Sequence, residues 1–283
     1  MEGHILDKPG PFEPLVMFFG LTNSPATFQT MMNDIFQDLI SESVVCVYLD
    51  DILIFTETME EHDRVTCLVL ERLRQHKLYL RHDKCEFAKT QIEYLGLIIS
   101  HGQAAMDPVK IAGVAEWPTL ESKKEVQSFL GFTNFYHCFI EGFSHLARPL
   151  FDLTQDESKW HWDDPECFTF KSIREQIVSA PILMFPEDSQ PFQVEADSSD
   201  FATGAVLSQQ SPVDDKWHLV AYYSESLNTV EQNYEIHDKE MLAIIQALED
   251  WRHFLEGARH TVKMWTDHKN LEYFMTAKTL NCC

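Results

Sequence analysis

The run Val44-Val45-Cys46-Val47-Tyr48-Leu49 gives way to Asp50-Asp51 and then to Ile52-Leu53-Ile54-Phe55. An apolar, β-branched stretch that is broken by two polar residues and resumes at once reads as a β-hairpin. The constraint is electrostatic as well as steric. Two adjacent carboxylates sit at a tight turn beside apolar surface, and neither flanking strand carries a Lys or Arg to offset them. Asp is common in turns, so a solvated Asx turn is one reading. A bound divalent cation is the other, because Mg²⁺ takes one or two carboxylates together with substrate phosphates. Pattern alone leaves both open.

Around this hairpin the periodicity predicts helices. Phe28, Met31, Met32, Ile35 and Phe36 recur at three- and four-residue spacing over Pro25 to Leu39, with Ser24-Pro25 as the start signal. A second helix is expected over Met59–Gln75, and Tyr94 to Ser100 reads as one short strand ending at a His101-Gly102 turn. From Asp107 to about Lys159 the pattern is helical, broken at Pro118 and Pro149, with Ser122 as a capping residue. Phe129, Phe132, Phe135, Tyr136, Phe139 and Phe143 form an aromatic stripe that reads as core in preference to a base-stacking platform. A helix is also expected over Pro165 to Ser179.

The style changes near Ala180-Pro181. Phe192–Asp197, Gly204–Ser208 and His218–Tyr223 read as strands, Asn233–Leu255 as a long helix, and Thr261–Thr266 as a fourth strand stopping at Asp267. Three strands, a helix and a strand make an α/β unit on a mixed sheet. Asp197 ends one strand, Asp267 follows another, and Glu240 lies near the start of the helix. If those elements pack together, three carboxylates converge, an arrangement that is costly without a cation and useful with two. Unrelated surface acids remain the competing reading in a chain with 45 Asp and Glu.

Charge argues against the obvious partner for such a site. The 283 residues carry 22 Lys and Arg, a net charge of −23 and a pI near 4.8, the wrong sign for a phosphate-binding surface. Arg64, Arg72, Arg74, Lys77, Arg81, Lys84 and Lys89 nevertheless cluster against only Glu71, Asp83 and Glu86. That cluster is either a local phosphate-facing patch or a solvated helix face. The apolar runs are far shorter than the ~20 residues of a membrane helix, and Met1-Glu2-Gly3-His4 does not begin a signal peptide. Seven Cys without a zinc-like spacing fit a reducing, intracellular setting.

The ordered motifs then point further. Phe19-Gly20-Leu21-Thr22-Asn23-Ser24-Pro25-Ala26-Thr27-Phe28-Gln29, Tyr48-Leu49-Asp50-Asp51, Tyr94-Leu95-Gly96, Trp117-Pro118 and Val126–Tyr136 come in sequence. Ala196-Asp197-Ser198-Ser199, Asn233-Tyr234, Lys239–Ala243 and Thr266-Asp267-His268-Lys269-Asn270-Leu271 follow. From about Pro11 to Leu280 the chain resembles the reverse transcriptase of gypsy-class long-terminal-repeat retrotransposons.

The resemblance implies an α/β chain: an α+β palm over 1–100, a helical thumb/connection over 101–179, and a ribonuclease H-like mixed sheet with helices over 180–283. It implies that Asp50 and Asp51 are the paired palm aspartates holding Mg²⁺, with Mn²⁺ as an alternative. Phe19, Gly20 and Gln29 then fall in the motif shaping the nucleotide pocket and template side, and Leu95 and Gly96 in the primer grip. Asp197, Glu240 and Asp267 match three of the four metal-binding acids of ribonuclease H. The implied partners are an RNA template, a DNA primer and an RNA–DNA hybrid, with no membrane. The family's third palm aspartate and fourth ribonuclease H acid have no match here, so the chain is expected to look cut at both ends. Three readings follow: an enzyme of both activities, one with polymerase lost and hybrid cleavage weak, or a non-catalytic remnant.

Overall fold

The computed structural model describes residues 5–7, 10–12, 16–18, 20–156 and 158–266. Its contacts divide the chain into two units, Met1–Tyr94 and Leu95–Cys283.

In the first unit, β1 (Ile5–Asp7) pairs antiparallel with β2 (Gly10–Phe12). Then come α1 (Ser24–Ile35), α2 (Gln37–Ser41), β3 (Val45–Tyr48), β4 (Asp51–Ile54), α3 (Met59–Gln75) and β5 (Gln91–Tyr94). The expected single helix over Pro25 to Leu39 is split at Phe36, whose φ of −111° leaves the helical region. Val45 and Val47 point inward from β3 while Cys46 and Tyr48 face solvent, the alternation of a half-buried strand. The inward pair meets Met32, Phe36 and Leu39 from the two helices and Val65, Val69 and Leu73 from α3. The α3 residues lie one turn apart on one stripe. Thr58 caps α3 by accepting from the Glu61 amide. Arg72 of α3 forms a two-pronged pair with Asp38 of α2 and donates to the Ile35 carbonyl at 3.0 Å, tying the three helices together.

The second unit opens on the antiparallel hairpin of β6 (Leu97–Ser100) and β7 (Gln103–Met106), turned at Gly102 with φ +66°. The segment read as one strand from Tyr94 is interrupted: Leu95 and Gly96 both take positive φ, the signature of a two-residue turn. Next come α4 (Pro108–Ala115), α5 (Lys123–Phe135), α6 (Phe143–Thr154) and α7 (Asp164–Val178), after which β8 (Leu183–Met184) returns to pair with β7. Asp107 and Ser122 cap α4 and α5 through their side chains. The expected break at Pro149 does not occur. α6 continues through it, forgoing one backbone bond, because Leu150 and Leu153 beyond it are fully buried. The aromatic stripe is core: Phe129, Tyr136, Phe139 and Phe143 are buried, whereas Phe135 stays 56% exposed.

The mixed sheet completes the unit. β9 (Phe192–Ser198), β10 (Ala202–Gln210) and β11 (Trp217–Ser226) are antiparallel, and β12 (Lys263–Trp265) lies parallel to β9, giving the order β11-β10-β9-β12. α8 (Ile236–Asp250) and α9 (Arg252–Leu255) share the expected long helix, divided at Trp251. Ala243, Ala247 and Trp251 pack on Phe192, Val194 and Ala196 of β9. That packing places the first turns of α8 against the C-terminal end of β9. Ser144 and Ser224 exchange two hydrogen bonds between α6 and β11.

Candidate functional site

The first carboxylate pair sits where the hairpin reading put it, with one correction. Tyr48 pairs with Asp51, so the two turn residues are Leu49 and Asp50, and Asp51 is the first residue of β4. Leu49 holds φ +53°, a left-handed conformation that costs a side-chain-bearing residue roughly 1–2 kcal/mol. Gln29 on α1 supports it. Its Oε1 accepts from the Leu49 amide at 2.6 Å, while its Nε2 donates to the Val47 carbonyl at 3.0 Å and to Asn33 Oδ1 at 2.8 Å. The amide of Gln29 thus brackets the strand end from which Asp50 and Asp51 project, and both aspartates are exposed.

The second group converges in part. Asp197 in β9 and Glu240 in α8 meet at Ser198. The Ser198 amide donates to Asp197 Oδ1 at 2.8 Å and to Glu240 Oε1 at 3.2 Å, and the Ser198 hydroxyl donates to Glu240 Oε1 at 2.8 Å. Thr266 donates to Glu240 Oε2 at 3.4 Å. Glu240 is only 3% exposed, whereas Asp197 is open to solvent. Beside them a cleft of about 590 Å³ is lined by Asp197, Ser199, Trp265 and Thr266, with Glu141 and His145 on the α6 side. The neighbouring Lys239 is buried, its Nζ 3.5 Å from Asp200 in the turn after β9. Arg148 covers the Phe201 ring of the same turn at 3.6 Å. Asp267 lies outside the described residues, as does Phe19.

The remaining predicted residues are backbone specialists. Gly20 takes φ +97° and Gly96 φ +79°, conformations that favour glycine. At Gly96 a Cβ would also lie 3.3 Å from the Tyr136 hydroxyl, which donates to the Gly96 carbonyl. One cluster escaped the sequence reading: His161, Asp163 and Glu166, whose ligand atoms lie within 4.8 Å of one another. A capping box at the start of α7 accounts for the two acids, since the Asp163 amide donates to Glu166 Oε2 at 2.9 Å. His161 Nδ1 donates to the Lys159 carbonyl, which raises the pKa of the ring, helped by the Glu166 charge. The Asp163-Glu166 spacing was the signal available beforehand.

Comparison with known proteins fixes the class. A family described as reverse transcriptase (RNA-dependent DNA polymerase) matches residues 8–99, and an RNase H-like domain found in reverse transcriptase matches residues 162–262. The chain is thus similar to the reverse transcriptase and RNase H-like regions of retrotransposon polyproteins. Among its relatives are the Transposon Tf2-3 and Tf2-7 polyproteins of Schizosaccharomyces pombe, each 38% identical over 262 residues. Those matches cover 93% of this chain and 20% of each relative, so the chain spans about a fifth of their length. Tf2 elements are of the Ty3/gypsy class, consistent with the gypsy-class resemblance. The fold is that of the foamy viral protease-reverse transcriptase. The structure with an RNA/DNA hybrid aligns at TM-score 0.78 and 19% identity over 98% of this chain and 38% of that one. The structure with dsDNA aligns at 0.75 and 20%, over 95% and 55%. No described helix is long and apolar enough to cross a membrane.

Proposed function

We propose that this chain carries the nucleic-acid chemistry of its family in two places: a polymerase palm at Asp50 and Asp51 within 1–100, and a ribonuclease H-like site at Asp197, Glu240 and Asp267 within 180–283. Residues 101–179 link them as thumb and connection. Phe19, Gly20 and Gln29 serve the nucleotide and template side, and Leu95 and Gly96 the primer side. The partners are an RNA template, a DNA primer and an RNA–DNA hybrid, in an intracellular setting.

The observation that carries the reading is the meeting of Asp197 and Glu240, 43 positions apart, on the single amide of Ser198. Two carboxylates brought that close repel one another, and a cation between them offsets the cost. The donor set is all hard oxygen, which suits Mg²⁺ or Mn²⁺ rather than a soft metal. Asp197, Glu240 and Asp267 would hold such ions, and bound cations supply water activation and leaving-oxygen stabilisation. The residues themselves fix the geometry: Ser198 orients Glu240, and α8 packed on β9 keeps it there.

The two sites differ in completeness. Asp50 and Asp51 by themselves supply only a paired half of a two-cation ligand set, and on that pair alone no template-directed synthesis is expected. Its hybrid cleavage is slow and faster in Mn²⁺, which tolerates imperfect octahedra better than Mg²⁺ does. The test incubates the purified chain with a labelled RNA–DNA hybrid in each metal, beside Asp197→Asn and Glu240→Gln. Metal-dependent cutting of the RNA strand that both variants lose is expected. Cutting equal to theirs in both metals would leave a non-catalytic remnant as the better account. Primer extension on a homopolymer template, lost in Asp50→Asn, would overturn the assignment of a silent polymerase.

A further inference from the structure

We propose that Ser198 is a positioning residue that presets the Glu240 carboxylate for a divalent cation. This rests on the ribonuclease H-like reading of Asp197 and Glu240 and deepens it. Ser198 is not itself a ligand in this proposal. It acts on two carboxylates at once: its amide is shared between Asp197 Oδ1 and Glu240 Oε1, and its hydroxyl adds a second, shorter bond to Glu240 Oε1 at 2.8 Å. Both donors of one residue therefore grip one oxygen of a carboxylate that is 3% exposed.

Three consequences follow from that arrangement. The bonds to Oε1 fix the carboxylate plane before a cation arrives, so the cost of ordering Glu240 is met in folding and not at binding. Two N–H and O–H dipoles directed at the acids hold like charges together while the site is empty of cation. The strand also makes the contact sequence-local for Asp197 and long-range for Glu240, so Ser198 transmits the position of β9 to α8. The turn beyond it is anchored separately, by Lys239 on Asp200 and Arg148 on Phe201. Removing the Ser198 hydroxyl should therefore loosen Glu240 without unravelling the turn. Hydrogen bonds to metal ligands from outside the ligand set are commonly worth 10–100-fold in metal affinity.

The acidic surface calls for a probe that reports where the cation sits. Fe²⁺ with ascorbate cuts the backbone next to the ion, and Mg²⁺ competes for the same place. In the full chain, cutting is expected near residues 197 and 240. Ser198→Ala should raise the Fe²⁺ concentration for half-maximal cutting there by about tenfold, the lower end of that range. Ser198→Thr, which keeps the hydroxyl and suits a strand, should restore it. The thermal unfolding of both variants should match the parent. Unchanged cutting in Ser198→Ala, with Glu240→Gln losing it, would overturn the role of Ser198 and leave the site standing. Failure of Ser198→Thr to restore it, or loss of cutting together with the unfolding transition, would make Ser198 merely structural. Absence of local cutting in the parent, or indifference to Glu240→Gln and Asp197→Asn, would remove the metal site itself and the proposal with it.

Discussion

Replacing Gln29 by Leu should loosen the hairpin that carries Asp50 and Asp51 while leaving distant elements alone. The substitution removes the acceptor of the Leu49 amide and the donor to the Val47 carbonyl. Each such bond is worth a net 0.5–1.5 kcal/mol, and both are half-buried, so water replaces part of the loss. About 1–2 kcal/mol is the expected total. The strain at Leu49, with φ +53°, acts in the same direction once its amide is released. At roughly 1.4 kcal/mol per decade, opening of the hairpin becomes about 5–30 times more frequent. Native-state hydrogen exchange followed by mass spectrometry reads this directly. Peptides covering 44–55 should exchange faster by that factor, while those covering α7 should not change. Exchange over 44–55 within about twofold of the parent would refute the bracket, and equal acceleration in α7 would show general destabilisation instead.

Two further outcomes follow from single side chains. The Arg72 guanidinium, chiefly by its hydrogen bonds, holds the Asp38 carboxyl well below the usual carboxylate range. A depressed folded pKa gives stability that is present above the unfolded value near 3.9 and is lost as pH falls through the folded one, so the stability gap between the parent and Asp38→Asn should begin to shrink below about pH 4 and close only near the folded pKa. Constant separation of the two curves down to the lowest pH would contradict the pairing. Burial pushes the Cys138 thiol up to about 11, so iodoacetamide at pH 8 should label the exposed Cys46 and Cys67 and spare Cys138; rapid labelling of Cys138 in the folded chain would count against its burial.

Local chemistry was legible where one segment decides its own fate. The β-branched run before Asp50 announced a strand, and the pattern over Met59–Gln75 announced α3 at its observed bounds. What depended on a distant partner was not legible. The turn took Leu49 and Asp50 instead of Asp50 and Asp51, and the amide of Gln29 that holds it comes from 20 positions away. β7 and β8 went unread because Gln103–Met106 has no β-branched residue and Leu183–Met184 is only a pair, so that β7 exists by pairing with β6 and β8 by pairing with β7. Pro149 misled because its local cost is real but smaller than the burial of Leu150 and Leu153 behind it. Spacing left Asp197 and Glu240 among 45 acids, and the family resemblance singled them out. Neither pattern nor resemblance singled out Ser198, because its hydroxyl acquires a role only once α8 lies on β9.

The basic cluster of Arg64 to Lys89 also changes meaning in three dimensions. Its four arginines all have carboxylate partners: Glu61, Asp38, Glu71 and Asp83 for Arg64, Arg72, Arg74 and Arg81. These pairs are not equivalent. Arg72, with its side chain 24% exposed, joins α3 to α1 and α2 and is committed to the fold. Arg64, Arg74 and Arg81 are 55%, 78% and 70% exposed and pair with neighbours two or three positions away. Pairs of that kind are worth about 0–1 kcal/mol, so a phosphate can displace Glu61, Glu71 or Asp83 at little cost. Lys77, Lys84 and Lys89 have no ion-pair partner among the described residues. The patch is thus available to a polyanion despite a net charge of −23, but as a surface of exchangeable pairs whose attraction fades quickly with salt. Under the proposed cation reading, paired carboxylates would add a second hold on phosphate, with the charge delivered by the ion and not by the surface.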